Sequence, residues 1–372
     1  ATEYDNILRL AKQRGYKFSG ADTTTGHVTF YVIVPANATG LGVDNDYLPI
    51  LKKNSIVSSN SGASFILLDD VRFDHPANFV VATRVNEATG VPTHYAIKST
   101  GKVISGIFGQ KTVTVGAFEK FRKVTISDSN IVEIISVMDS EGHEYFEVEY
   151  LSHDVVYKSV PNRDVNTRDN APSLVRPFSA PRRFTTEKDR STITLQFGYG
   201  SDSEIAAPTL ADPSNVVLQR FSKSYVTDTA FDPSDLLGTD KLGVGPSNTT
   251  LTITYRSNTA SSSNAAANTV TRVTRALVDF VNPTVAGTTK ADAVISSIES
   301  ANEDPINGSV RRPNVEEIRR RTLDYFPTQN RAVTASDYEA LAYAMPSEFG
   351  SIKKCHIIRD QDSLKRNLNM YV

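Results

Sequence analysis

"HVTFYVIV", residues 27–34, consists almost wholly of β-branched and aromatic residues and lies between Gly26 and Pro35. That is the composition and punctuation of a strand between turns. The same texture returns in "SFILLDDVRF" (64–73), "NFVVATRV" (78–85), "THYAIKS" (93–99) and "KTVTVGAF" (111–118), each bounded by Gly, Pro, Asn or Asp. In "NIVEIISVMDSEGHEYFEVEYLS" (130–152), two such runs flank Asp139-Ser140-Glu141-Gly142, a hairpin signal. These runs predict a largely antiparallel β structure.

Working outward, residues 3–14 place Ile7, Leu8, Leu10 and Ala11 near one side of a short helix that Gly15 ends, and that helix is expected to pack on the next segment of the chain. Residues 159–190 are rich in Pro, Arg, Asn and Asp and read as a long connector. Strands are predicted at 191–200 and 250–257, with 201–248 mostly loop and a low-complexity stretch at 257–268. At "VTRVTRALVDFV" (270–281) the texture turns helical. The resulting fold class is α+β and multidomain, with mostly antiparallel β in the first two-thirds. Its predicted parts are an N-terminal helix (1–20), a β-rich domain (21–160), a second β-rich region with long loops (161–267), a helical region (268–345) and the start of a small α/β domain (346–372). The chain opens "ATEYDN" without Met and stops on the strand-like "NLNMYV", which suggests a fragment of a longer protein.

The stretch "PNVEEIRRRTLDYFPTQNRAVTASDYEALA" (313–342) is the most explicit. Asn314 can cap a helix with Glu317 at its third position, and Val315, Ile318, Thr322 and Phe326 form a stripe that Pro327 stops. Thr334 and Asp337 match a capping box, and Val333 can staple onto Tyr338. Tyr338, Leu341, Ala342 and Met345 then recur at i, i+3, i+4 and i+7. The stretch predicts a rigid helix–loop–helix corner.

Composition narrows the chemistry. The 40 basic and 42 acidic residues among 372 leave a net charge of −2, so no global field draws the chain to nucleic acid or anionic lipid. A chain of this length can bury roughly 75% of the surface its unfolded form exposes. A single cysteine, Cys355, cannot form an internal disulfide, and no apolar run approaches the roughly 18 residues of a membrane span. Gly-x-Ser-x-Gly is absent, and Gly198-Tyr199-Gly200 lacks the third Gly of a dinucleotide loop and reads as a strand end. The six histidines are scattered without zinc spacing, and Asp69-Asp70 and Asp360-x-Asp362 read as turn residues. Arg311, Arg312, Arg319, Arg320, Arg321 and Arg331 suit phosphate, yet Glu316, Glu317 and Asp324 interleave with them, which favours a salt-bridged helix face. No catalytic residue, cofactor or metal is predicted.

Taken together, three stretches resemble the baseplate J-like proteins of contractile phage tails. They are residues 10–73, similar to the family's helix, first strand and hairpin; 250–273, similar to its strand, small-residue loop and the start of the helical part; and 311–342, where Arg331, Val333, Thr334, Asp337, Tyr338 and Leu341 fall on recurrent positions. The section 75–190 matches loosely, and Asn54-Ser55 stands where many relatives have Gly-Thr. The resemblance implies a non-enzymatic wedge subunit of the virion tail baseplate, assembled in the host cytoplasm. Its partners would be a second copy within the wedge, other wedge proteins and neighbouring wedges in a ring that rearranges on sheath contraction. No small-molecule substrate, membrane or direct nucleic-acid contact is expected. Arg331, Val333, Thr334, Asp337, Tyr338, Leu341, Phe326 and Ile318 are the expected corner-forming or subunit-contact residues. A β-rich carbohydrate-binding or nucleic-acid-binding module is the alternative.

Overall fold

The computed structural model describes residues 3–16, 23–128, 130–162, 164, 167, 170–171, 173–188, 192–200, 242–258, 263–308, 313–346, 349–350, 352, 354–360 and 367–372. Residues 201–241 of the predicted loop at 201–248, the centre of the low-complexity stretch at 259–262, and Arg311, Arg312 and Asp362 lie outside them. The described residues form a β-rich α+β fold, mostly of antiparallel strands with four α-helices. The chain forms two compact units, 1–108 with 256–372, and 109–255. These boundaries differ from those expected near 160 and 267, because the first unit draws its sheet from both ends of the chain.

In the first unit, a sheet runs in the order Arg272–Arg275, Ile56–Ser58, Ser64–Leu67, Pro92–Ser105, Thr25–Pro35, Glu299–Ala301, with every neighbouring pair antiparallel. Period-2 alternation in Thr25–Pro35 sends Val28, Phe30, Val32 and Val34 into the core, each contributing about 1.5–3 kcal/mol on burial. Side chains tie together the residues at the two ends of this sheet. Buried Asn302 accepts the Thr269 and Val270 N–H groups at 3.0 and 2.9 Å, and Ser300 donates to the Val270 carbonyl at 3.1 Å. These bonds pair backbone groups beside the sheet's end strands that would otherwise lack partners. Phe79–Val85 pairs with the N-terminal half of Pro92–Ser105 and lies off this strand order.

The "VTRVTRALVDFV" segment is strand rather than helix. Arg272–Arg275 pairs with Ile56–Ser58, and Val278–Phe280 with Pro49–Leu51. Its β-branched Val and Thr suit a pleat, and two waiting strand partners outweigh a weak helical period. "SFILLDDVRF" is two strands, broken where the Asp70 carboxylate takes the Lys53 N–H at 2.8 Å and the Lys52 ammonium. Burial works against ionising Asp70, but those bonds outweigh it and hold its carboxyl below the usual range. Asn54 adopts φ +70°, a backbone shape natural to Gly and tolerated by Asn. Helix α1 (Tyr4–Gln13) ends in a Schellman motif, with Gly15 at φ +83° and Tyr16 N–H on the Ala11 carbonyl at 3.0 Å. Among the described residues it packs on the C-terminal helices and on Tyr16, while residues 17–22, the segment that follows it, lie outside the described residues.

The second unit orders its sheet as Ile107–Val115, Thr249–Ser257, Ile131–Met138, Glu144–Glu147, Arg183–Lys188, Ile193–Phe197, Lys123–Ile126. The hairpin at Asp139–Gly142 forms as predicted, with Val137 opposite Tyr145 and Gly142 at φ +87°. Tyr145 and Phe184 pack against Phe197 at 5.4 and 5.7 Å within a core that includes Leu195, Leu251 and Ile253. The expected connector at 159–190 holds two strands, Ser173–Ser179 and Arg183–Lys188. The first forms a two-stranded ribbon with Val155–Pro161, and its Pro177 is accommodated because the ribbon lies outside the main sheet. Gly198-Tyr199-Gly200 lies beyond the Ile193–Phe197 strand, as a strand end should.

Candidate functional site: a helical corner and exposed strands

The corner is assembled by caps. Helix α2 (Thr289–Ser296) packs Ala291 and Val294 into the core of the first unit. Helix α3 (Val315–Tyr325) starts where Asn314 Oδ1 accepts the Glu317 N–H at 2.8 Å, and it buries Ile318 and Thr322. Past Pro327, Gln329 and Asn330 take left-handed conformations, φ +47° and +61°, and reverse the chain. Helix α4 (Ala335–Tyr343) opens with the predicted capping box: Asp337 N–H donates to Thr334 Oγ1 at 3.3 Å, while Asp337 Oδ2 accepts from Thr334 N–H at 2.8 Å and Val333 N–H at 3.1 Å. The two backbone N–H groups, Thr334's foremost, hold the Asp337 carboxyl below the usual range.

Ile318 belongs to a small core with Ile7, Ala11 and Tyr16, which joins α1 to α3, and Ala344 at the end of α4 packs against it. Other expected residues stand elsewhere. Val333, expected to staple onto Tyr338, is 75% exposed. The buried position of α4 is Ala340, not the stripe Tyr338, Leu341, Ala342, Met345; Tyr338 is exposed and Leu341 half-buried. The helix is turned this way because its Tyr343 and Glu339 are engaged with the backbone of Cys355 and Ile357, at the start of the strand His356–Arg359. Phe326 is also exposed and leaves the expected stripe, with the Arg14 guanidinium 5.5 Å from its ring centroid. Arg331 is exposed. Arg319 pairs with Glu316 at 2.7 Å and Arg321 with Glu317 at 2.5 Å, the salt-bridged face the interleaved acids predicted.

Three strand elements expose apolar side chains. Phe79–Val85 is exposed along its length, with Phe79 at 68%. The ribbon of Val155–Pro161 and Ser173–Ser179 presents Tyr157, 72% exposed, on one face with Val175. His356–Arg359 and Leu368–Tyr371 pair as a C-terminal ribbon with Ile358, Met370 and Tyr371 open to solvent. Sequence reasoning identified Phe79–Val85 and the C-terminal pair as strands, read residues 159–190, which hold Ser173–Ser179, as a connector, and foresaw the exposure of none, because their apolar content matches that of buried strands. It also missed the buried Arg183, whose Nε donates to the Leu151 carbonyl at 2.6 Å and whose Nη1 donates to that of Ala180 at 2.7 Å.

Among the described residues, no cluster of three or more His, Cys, Asp or Glu could hold a metal ion, and no helix is long and apolar enough to cross a membrane. Compared with models of known protein families and with curated protein sequences, the chain matches none of either.

Proposed function

We propose that this chain is a structural subunit of a contractile-tail baseplate wedge, of the baseplate J-like kind, which associates with itself and with other wedge proteins in a ring. The observation that carries the reading is the trio of strand elements with exposed apolar side chains, beside sheets that otherwise bury their cores. A two-stranded ribbon is marginal in water by itself, and an apolar edge strand invites pairing with another chain. The capped corner supports the same reading, since a ring built from repeated contacts needs fixed angles. Asn54 at φ +70° also fits, because it stands where many relatives carry Gly. On this reading, residues 346–372 open a small α/β domain, and large interfaces, often above about 2,000 Å², cover the exposed strands.

Light scattering coupled to size exclusion, over a wide concentration range and at two salt levels, tests the proposal. A dimer that survives dilution and salt is expected. A strict monomer that also fails to join any wedge protein would overturn it.

A further inference from the structure

Arg321 touches elements that lie far apart in the chain. Its guanidinium pairs with Glu317 one turn earlier on α3 at 2.5 Å, acts on the Tyr16 hydroxyl just past α1 through its charge, and lies 5.0 Å from the ring centroid of Tyr343 at the end of α4. Only 12% of its side chain is exposed, and Tyr16 is buried, so water competes weakly for these contacts. Tyr16 also meets Tyr325 of α3 edge-on, 5.8 Å between centroids.

The chain of contacts continues through Tyr343. Its hydroxyl accepts the Cys355 N–H at 2.9 Å, and Glu339, one turn earlier, accepts the Ile357 N–H at 3.0 Å. One helical turn rises about 5.4 Å and two strand residues span roughly 6.6 Å, so the two side chains match alternate N–H groups of the strand. Cys355 and Ile357 are both buried by this docking.

We propose that Arg321 couples the C-terminal ribbon to the N-terminal helix, so that displacing Cys355 and Ile357 from α4 loosens α1. A guanidinium fixed by a carboxylate, a phenol and an aromatic face has one good position, and shifting any of the three disturbs the others. The coupling belongs to a single chain and stands apart from the assembly reading.

Hydrogen exchange on the full chain at low concentration tests it. Arg321→Met is expected to speed exchange several-fold both in Tyr4–Gln13 and at residues 355–359, while the core strand Thr25–Pro35 stays at the wild-type rate. Arg321→Lys, which keeps the charge but not the planar fork, is expected to show most of the same effect. Faster exchange confined to α3, with 355–359 unchanged, would overturn the coupling. Should Arg321→Met not fold, the milder pair Tyr16→Phe and Tyr343→Phe decides by denaturant unfolding: non-additive losses support the coupling, and additive losses contradict it.

Discussion

Asp337 and Thr334 hold each other's backbone: the carboxylate takes the Thr334 N–H at 2.8 Å, and the Thr334 hydroxyl takes the Asp337 N–H at 3.3 Å. Thr334→Ala is therefore expected to destabilise α4 by about 1 kcal/mol, the usual effect of losing an N-cap. Circular dichroism during denaturant unfolding measures it. Because the folded Asp337 carboxyl is held low, its stabilising effect is present above the unfolded value of 3.8 and lost as pH falls through the folded one. Asp337→Asn should flatten that acid limb.

Ile318 is the closed centre of the contact between α1 and α3. Ile318→Ala should cost about 2–5 kcal/mol, as a cavity there has no solvent to fill it. Arg331, exposed on the loop, gives the contrast: Arg331→Glu is expected to keep cooperative melting and to weaken assembly.

Gly15 turns the chain out of α1 at φ +83°, a conformation that disfavours any side chain. Gly15→Ala should cost about 1 kcal/mol and be felt first in α1, seen as faster amide exchange at Tyr4–Gln13.

His94 lies opposite Arg84 in the pairing of Phe79–Val85 with Pro92–Ser105. Burial first and the Arg84 charge second hold its pKa below the ordinary 6.5. The unfolded chain then binds the proton more readily, so stability is full above pH 6.5 and falls as pH drops from there toward the folded value. An NMR titration of His94 should show the depressed midpoint, and Arg84→Gln should raise it.

How legible these features were depends on what each residue's signal reports. Capping at Asn314 and Thr334 is local chemistry, fixed by a few consecutive residues, and it was readable. The orientation of α4 depends on Glu339 and Tyr343 meeting a strand at 355–357, which no helical period encodes. Likewise, Val273 and Val278 became strand because partners from residues 49–58 lay beside them. Arg321 could be singled out only as one of six arginines; its neighbours Tyr16 and Tyr343 are set by the fold.

The central claim is that the exposed strands are contact surfaces between chains. Hydrogen exchange compared between the dispersed chain and its assembled form tests it most directly. The account predicts new protection in Phe79–Val85, Ser173–Ser179 and Leu368–Tyr371, with the buried strand Thr25–Pro35 unchanged. Assembly that leaves all three strands exchanging as in the dispersed chain would contradict it.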